Sequence, residues 1–538
     1  MIVSIFNDVV GPVMRGPSSS HCAAALRIGR IARDLMEGEI DSVLVQFDNG
    51  GSLPATHQSQ GSDMGLFGGL LGWEADDDRL PKSETHLEQA GISLTFEYLD
   101  LADPHPNTYR LTLSAGDRTR QLIAISTGGG MIEVLKLDDF EVSIGGDYDE
   151  TLLWLDGHVA FTDSIRENLI SEFQLDDAIL HQGQNSGLLQ LRGQVELDAA
   201  EVAKVIGDVR LIDSASVQAV LPVRSRRDLQ VPYQTCSAMQ EQSDAETPLW
   251  RLAIDYESAR SGLDESALVE KMVQIVRTLR KSVKQGLAGT EYADRVLGFQ
   301  SGGFEKALDE GRLIDAGLLN RIVLYTSALM EVKSSMGVIV AAPTAGACAA
   351  FPAVCLATAE SMDCPDDEIA KAMLAGGMIG VFIATHWSFA AEVGGCQAEG
   401  GSAAAMSAAA LVHFAGGTRD QSVGAASMAL QNMLGLICDP VANRVEVPCL
   451  GKNVMAASNA VSCANLSLAG FDAVIPLDET IAAAKAVSER MPREHRCTAL
   501  GGLSMTPTSL AIEKRLQACG CGTGGCGSSQ PVKSIGSK

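Results

Sequence analysis

Along the first 145 residues, short runs of alternating apolar and polar positions surround one longer stretch with a period near 3.6. VSIFNDVV and SVLVQFDNGG read as strands, AALRIGRIARDLMEG as an amphipathic helix, and YRLTLSA with RQLIAIST as paired strands. An N-terminal α+β domain over 1–145 is predicted. Over 146–222 the order becomes strand, helix, strand, strand, helix, strand, from DETLLWLDG through SIRENLISEFQ, DAILHQGQ, GLLQLRGQV and DAAEVAKVIG to VRLIDSA. That succession predicts a ferredoxin-like (ACT-like) module. Residues 223–248 are polar and aperiodic and read as a linker. From 249 to 518 the pattern is helical almost throughout, which predicts one large all-α domain. Residues 519–538, dominated by Gly, Ser and Cys, read as a flexible tail.

Two apolar stretches, 336–358 and 371–395, approach membrane-span length. Pro343 interrupts the first and His386 and Glu392 polarise the second, so both read as buried helices. A net charge of -26 argues against a nucleic-acid partner, because phosphates need cations. MIVSIFNDVV has no basic leader and meets Asp8 early, which predicts no signal peptide, no membrane and a cytoplasmic location. Thirteen cysteines, an odd number without a secretory signal, argue against a disulfide framework. All but Cys22 and Cys236 lie at or after Cys348, which directs the search for ligands to the C-terminal half.

There is no GxGxxG after a strand, no Walker loop and no HExxH, and Gly128, Gly129 and Gly130 read as a tight turn. Cys396 in EVGGCQAEGGS, Cys438 in GLICDPV and Cys449 in VEVPCLGKN each have glycine or proline nearby. Such neighbours free backbone N–H groups to point at sulfur, as cluster thiolates require. Taken singly, each is equally a buried core cysteine. A structural zinc site wants four ligands, usually in close pairs, a pattern missing here. Ser18, Ser19, Ser20 and His21 gather hydroxyls and an imidazole before a helix, either to bind a substrate carboxylate or as a simple N-cap.

The segments GPSSSHCAAA, GSLPATHQSQGSD, ISTGGGMI, VAAPTAGACAAFPAV, GGCQAEGGSAAAMSAAALVHFAGGT, LGLICDPVANRVEVPC and RCTALGGLS span both halves of the chain. Together they resemble the iron–sulfur-dependent L-serine dehydratases, or L-serine ammonia-lyases, with beta and alpha parts fused in one chain. The resemblance implies a 4Fe–4S cluster on Cys396, Cys438 and Cys449 with one open iron site, and no pyridoxal phosphate. It implies a lyase converting L-serine, or a related β-hydroxy amino acid, to a 2-oxo acid (pyruvate) and ammonia in a catalytic all-α domain. A homodimer is also implied. Ser18, Ser19, Ser20, His21, Thr344, Asn453 and Arg496 are implied substrate contacts, with His21 and His57 as catalytic candidates. Thr344 and Asn453 read equally as caps or packing, and Arg496 as a surface residue. Since the serines and the cysteines lie in different halves, the site is expected where two domains meet.

Several positions depart from the family pattern. Gln60 stands where the family has a histidine that is a candidate base, and glutamine takes no proton at neutral pH. His57, three residues earlier, is a candidate replacement or a loop-stabilising residue. Asn432 replaces a histidine, Gly451 and Lys452 replace a glutamate and an arginine, Cys497 replaces an acid and Leu500 an arginine. Cys519, Cys521 and Cys526 are candidates to reach back to the open iron, or are exposed thiols. Two other readings stay open: an L-cysteine desulfidase-type lyase, and a non-catalytic iron–sulfur amino-acid sensor.

Overall fold

The computed structural model describes residues 2–158, 160–194, 197–207 and 210–520. Cys521 and Cys526 lie outside the described residues. The opening segment, expected as a strand, instead forms a π-helical turn, Ile5–Val9. Ser4 Oγ accepts from the N–H groups of Phe6 and Asn7 (3.1 and 3.4 Å), and Glu257 accepts from Ser4 Oγ and Ile5 N (2.6 and 2.8 Å). With these donors met by side chains, the segment needs no strand ladder. Ile5, Phe6, Val9 and Val10 sink into the core of the helical part, and β1 (Val13–Met14) pairs with Ile339–Val340 there.

A six-stranded sheet follows, built from β2 (Ser42–Asp48), β3 (Ser93–Leu99), β4 (Thr108–Ala115), β5 (Arg118–Gly128), β6 (Met131–Leu137) and β7 (Phe140–Ile144). Its order is β3-β2-β4-β5-β6-β7, with β2 and β3 parallel and the other neighbours antiparallel. Helix Ala24–Leu35 turns Ala24, Ile28, Ile31 and Leu35 to the core it shares with this sheet, at the spacing a helical stripe requires. Helix Ser62–Leu70 lies so close to it that a Cβ on Gly65 would sit 2.0 Å from the Cys22 carbonyl oxygen, and one on Gly69 2.1 Å from that of Leu26. This contact fixes the serine-rich turn that precedes Ala24.

Four further strands, β8 (Asp149–Asp156), β9 (Asp177–Gln182), β10 (Ser186–Gly193) and β11 (Leu211–Val217), form an antiparallel sheet in the order β11-β8-β10-β9. Period-two alternation gives it two apolar faces. Leu153, Leu155, Leu189 and Leu191 pack against helices Asp163–Phe173 and Ala199–Ile206, while Leu152, Trp154 and Leu188 join the core of the six-stranded sheet.

Residues 223–248 differ from the expected linker. They bury Val223, Tyr233, Cys236 and Met239 in the helical core and include helix Cys236–Gln242. Few apolar anchors at irregular spacing suffice to dock a segment that shows no periodicity. The helical part is dominated by alanine-lined helices such as Ala350–Ser361, Ser402–Phe414 and Cys449–Leu468. The stretch 336–358 is not one buried helix: Ile339–Val340, a cis Ala342–Pro343 bond and helix Ala350–Ser361 succeed one another. Helix Asp366–His386 is long and apolar enough to cross a membrane, and 78% of its most apolar window is buried inside the protein.

Candidate active site

The GPSSSH segment passes through Gly16, at φ +102°, into a π-helical turn, Ser19–Ala23, that continues as helix Ala24–Leu35. The turn buries Ser18, Ser19, Ser20 and His21. Thr56 Oγ1 donates to the Ser52 carbonyl (2.8 Å), so it accepts from His21 Nε2 (2.8 Å). In a neutral ring Nδ1 is then the acceptor, facing the hydroxyls of Ser18 (2.9 Å) and Ser20 (3.2 Å). Burial holds the His21 imidazole below its ordinary pKa, against the pull of Glu392 and with the help of His57. Ser20 Oγ donates to Glu392 Oε1 (2.7 Å), which lies 3.4 Å from His21 Nδ1, while Glu392 Oε2 is buried without a partner. The result is a hydroxyl–imidazole–carboxylate group able to hold or pass a proton.

This group reaches the helical part through the APTAG loop. Ser19 Oγ accepts from Ala345 N (3.1 Å), and Thr344 Oγ1 donates to Glu399 Oε1 (2.8 Å). Burial, with Glu392 nearby, pushes the Glu399 carboxyl up to about 7 despite the Thr344 hydrogen bond. Asn453 Oδ1 accepts from Ala349 and Ala350 N, and its Nδ2 donates to the carbonyls of Gly346 and Cys449. Through these four bonds Asn453 braces the APTAG loop against Cys449.

Two of the three expected ligands sit where helices begin. Cys449 is the first residue of helix Cys449–Leu468, and Cys396 precedes the turn Gln397–Gly401 that runs on into helix Ser402–Phe414. Helix N-termini present free N–H groups and positive potential, which favour thiolates. Gly395 holds φ +69° just before Cys396, where a Cβ would lie 2.7 Å from Met491 Sδ and 2.9 Å from the Leu436 carbonyl. Cys396, Cys438 and Cys497 share a buried group with Ala391, in which Cys438 contacts both of the other thiols. Sulfur contacts with Cys396 and then Cys497, together with burial, push the Cys438 thiol far up; burial does the same to Cys449, helped by Cys396. Lys452 Nζ lies 3.6 Å from Cys396 Sγ and 2.8 Å from Asp439 Oδ1. Burial opposes its charge, but Cys396, Asp439 and Cys438 outweigh that and hold the ammonium above its ordinary range.

These residues suit an iron–sulfur group. The four thiols are free, soft donors buried next to a cation and two helix N-termini. Among the described residues no three His, Cys, Asp or Glu side chains converge tightly enough for a single metal ion.

The remaining candidates fall elsewhere. His57 bonds Asp63 Oδ1 through Nδ1 (2.7 Å) and Tyr98 Oη through Nε2 (2.8 Å), and packs among Phe47 and Phe96. Both of its ring nitrogens are hydrogen-bonded within the N-terminal domain, to a carboxylate and a phenol. Gln60 is the residue of this turn that faces the cysteines: Nε2 donates to Cys497 Sγ (3.3 Å) and to Asn443 Oδ1 (3.0 Å). Arg496 turns away as well. Its Nη2 donates to the carbonyls of Ser488 and Met491 (3.0 and 3.1 Å), and it lines a cavity with His386, Trp387 and Lys485. These bonds hold Arg496 against the end of helix Leu477–Arg490. Sequence reasoning missed Glu392 and Glu399, whose only signal was two carboxylates within seven residues of an alanine- and glycine-rich stretch. It also missed the pairing of Gln60 with Cys497, two departures that meet in space.

A family model described as serine dehydratase alpha chain matches residues 235–504. The probable L-serine dehydratase alpha chain of Bacillus subtilis (strain 168) is 37% identical over 249 residues, covering 46% of this chain and 83% of that protein. The probable beta chain from the same organism is 40% identical over 150 residues, 28% of this chain and 67% of its own. The L-serine dehydratase of Streptomyces coelicolor is 28% identical over 528 residues, 94% of this chain and 99% of that protein.

Proposed function

We propose, from the premise that this chain belongs to the serine dehydratase family, that it is a lyase that dehydrates and deaminates L-serine to pyruvate and ammonia. The observation that carries this reading is that Ser20 and His21 of the N-terminal domain bond Glu392 of the helical part, directly beside Ala391 of the buried cysteine group. Cys396, Cys438 and Cys449 would hold a 4Fe–4S cluster, which when bound supplies a Lewis-acid iron for the departing hydroxyl. The chain's own residues do the rest. His21 Nδ1, neutral in its buried setting, accepts the Cα proton directly or through Ser18 Oγ. Glu392 fixes the Ser20 hydroxyl and balances the imidazolium that forms. Glu399 and Thr344 close the opposite wall, and the depth of the site keeps bulk water from the carbanion. The released aminoacrylate then hydrolyses to the 2-oxo acid and ammonia. The β11-β8-β10-β9 sheet with its two helices is read as a ferredoxin-like, ACT-like regulatory module, a reading supported by its strand order. The free thiols support a reducing, cytoplasmic setting.

The test is anaerobic purification, a visible spectrum, and immediate assay on L-serine, L-threonine, L-cysteine and 3-hydroxyaspartate. The expected outcome is a brown protein that releases pyruvate and ammonia from L-serine and bleaches in air as activity is lost. Sulfide from L-cysteine as the main product would move the reading to a desulfidase. A protein that binds serine without turnover would make it a sensor. A colourless protein after iron and sulfide reconstitution would overturn the cluster.

A further inference from the structure

We infer that the cavity between the N-terminal domain, the exit of the four-stranded sheet and helix Glu265–Ala288 is a second ligand site, built for a small monocarboxylate with an apolar body. It is separate from the seam, since no member of the Ser18–His21–Glu392 group lines it, and it does not rest on the cluster reading.

The cavity measures about 500 Å³, within the range of small-molecule sites. Its floor is apolar: Phe6, Val10, Leu26, Leu221 and Ile275 line it, and all five are buried. Segment 219–222 forms one wall and is tied down at its start. Gln218 N donates to Asp34 of helix Ala24–Leu35 (3.0 Å), and Ala219 N to Asp149 of β8 (2.9 Å). The wall is therefore set before any ligand arrives, which lowers the cost of binding.

Three cations, Arg27, Arg30 and Lys271, border this floor. Arg30 pairs with Glu74, whereas Arg27 and Lys271 have no ion-pair partner among the described residues. Arg27 is 5% exposed, and its Nη1 donates to the Gly130 carbonyl (2.6 Å). The Nε–Nη2 edge, the fork that takes a carboxylate side-on, makes no hydrogen bond among the described residues. Burial opposes the Arg27 charge, and Asp8 and Glu74 offset that only in part, from beyond contact distance. A buried cation without a partner is costly, so an anion beside it is favoured. Lys271, whose Nζ lies 5.6 Å from the centre of the Phe6 ring, adds a second positive charge over the same floor. Glu74 and Asp76 are exposed members of the lining and repel a second carboxylate. One negative charge with an apolar remainder is what this lining admits.

The test uses the full-length protein, purified without oxygen, with 3-phenylpropanoate as the probe and 3-phenylpropanamide as its neutral match. Equilibrium dialysis gives the Kd and the stoichiometry. One molecule of the acid is expected per chain, with the amide bound about tenfold or more weakly, the scale of a charge-assisted hydrogen bond. Arg27→Gln should weaken the acid by a similar factor, and Lys271→Gln by about threefold, as befits a cation that attracts at longer range. His21→Gln should leave the Kd unchanged. Arg27→Gln also releases the Gly130 carbonyl, so Lys271→Gln, at a half-buried position, and the amide decide the question where that variant folds poorly. No saturable binding, or equal binding of acid and amide, overturns the inference. Binding lost in His21→Gln but kept in Lys271→Gln overturns it too, because the acid then sits in the seam.

Discussion

Two histidines of the N-terminal domain have opposite surroundings. His21 faces serine hydroxyls through Nδ1 at the seam between the two halves, while His57 bonds Asp63 and Tyr98 within its own domain. We therefore expect His21→Gln to lower kcat by about 10²–10⁴-fold, the usual contribution of a positioned acid–base group, measured as pyruvate release. His57→Gln should instead lower Tm and leave kcat within about threefold, since its loss removes packing and one ion pair of modest worth. Glu399 supplies a pH dependence. Its carboxyl titrates near 4.5 when unfolded and at about 7 in the fold, because burial disfavours its charge. Between those values the native protein keeps a proton that the unfolded chain has released. The stabilisation from this group is thus complete below 4.5 and lost as pH rises through about 7. Glu399→Gln, which mimics the protonated form, should raise Tm relative to wild type at pH 7.5 and have little effect at pH 4.5. A difference that does not change with pH would refute the assignment.

At the scale of elements, the site depends on how closely two helices approach. Gly65 and Gly69 let helix Ser62–Leu70 lie against Ala24–Leu35, with backbone oxygens where a side chain would be. Gly65→Ala places a methyl against the Cys22 carbonyl, one residue beyond His21. Overpacking of this kind costs about 1–3 kcal/mol, and here the obstacle is backbone, which yields little. We expect a lower Tm, and a fall in kcat larger than the stability loss alone would produce, since the displaced element carries Ser18 to His21. Circular dichroism melting and initial rates on the same preparation check both. The cysteine-bearing elements follow similar logic. Cys396 and Cys449 stand at helix starts, and the loop between Cys438 and Cys449 bends at Ala442 and Asn443, both at positive φ. Such backbone is costly for residues other than glycine and persists only where the surroundings enforce it.

At the scale of the molecule, the N-terminal segment is shared between parts that the sequence separates. Asn7 clamps Val223 from both sides: Nδ2 donates to its carbonyl (2.7 Å) and Oδ1 accepts from its N–H (2.9 Å). Asn7→Leu strands both backbone groups in a dry interior, at about 1–3 kcal/mol each, and should lower the denaturation midpoint accordingly. Equilibrium unfolding in urea measures it, and an unchanged midpoint would show that the clamp is dispensable. Local properties were readable from the chain alone. The 3.6 period of Ala24–Leu35, the alternation of β4 and β5, and the glycines and prolines around Cys396, Cys438 and Cys449 are all set by neighbouring residues, whose backbone preferences and apolar spacing act over a few positions. The conversion of the strand-like VSIFNDVV into a π-helical turn was decided by Glu257, far along the chain, and the docking of 223–248 by a core its own pattern does not announce. The same holds for the site. Ser20 with Glu392 and Gln60 with Cys497 are contacts between residues hundreds of positions apart, and no local period encodes them. Which groups each histidine nitrogen faces, and which departures meet, follow from proximity and burial, quantities that exist only once the chain has closed on itself.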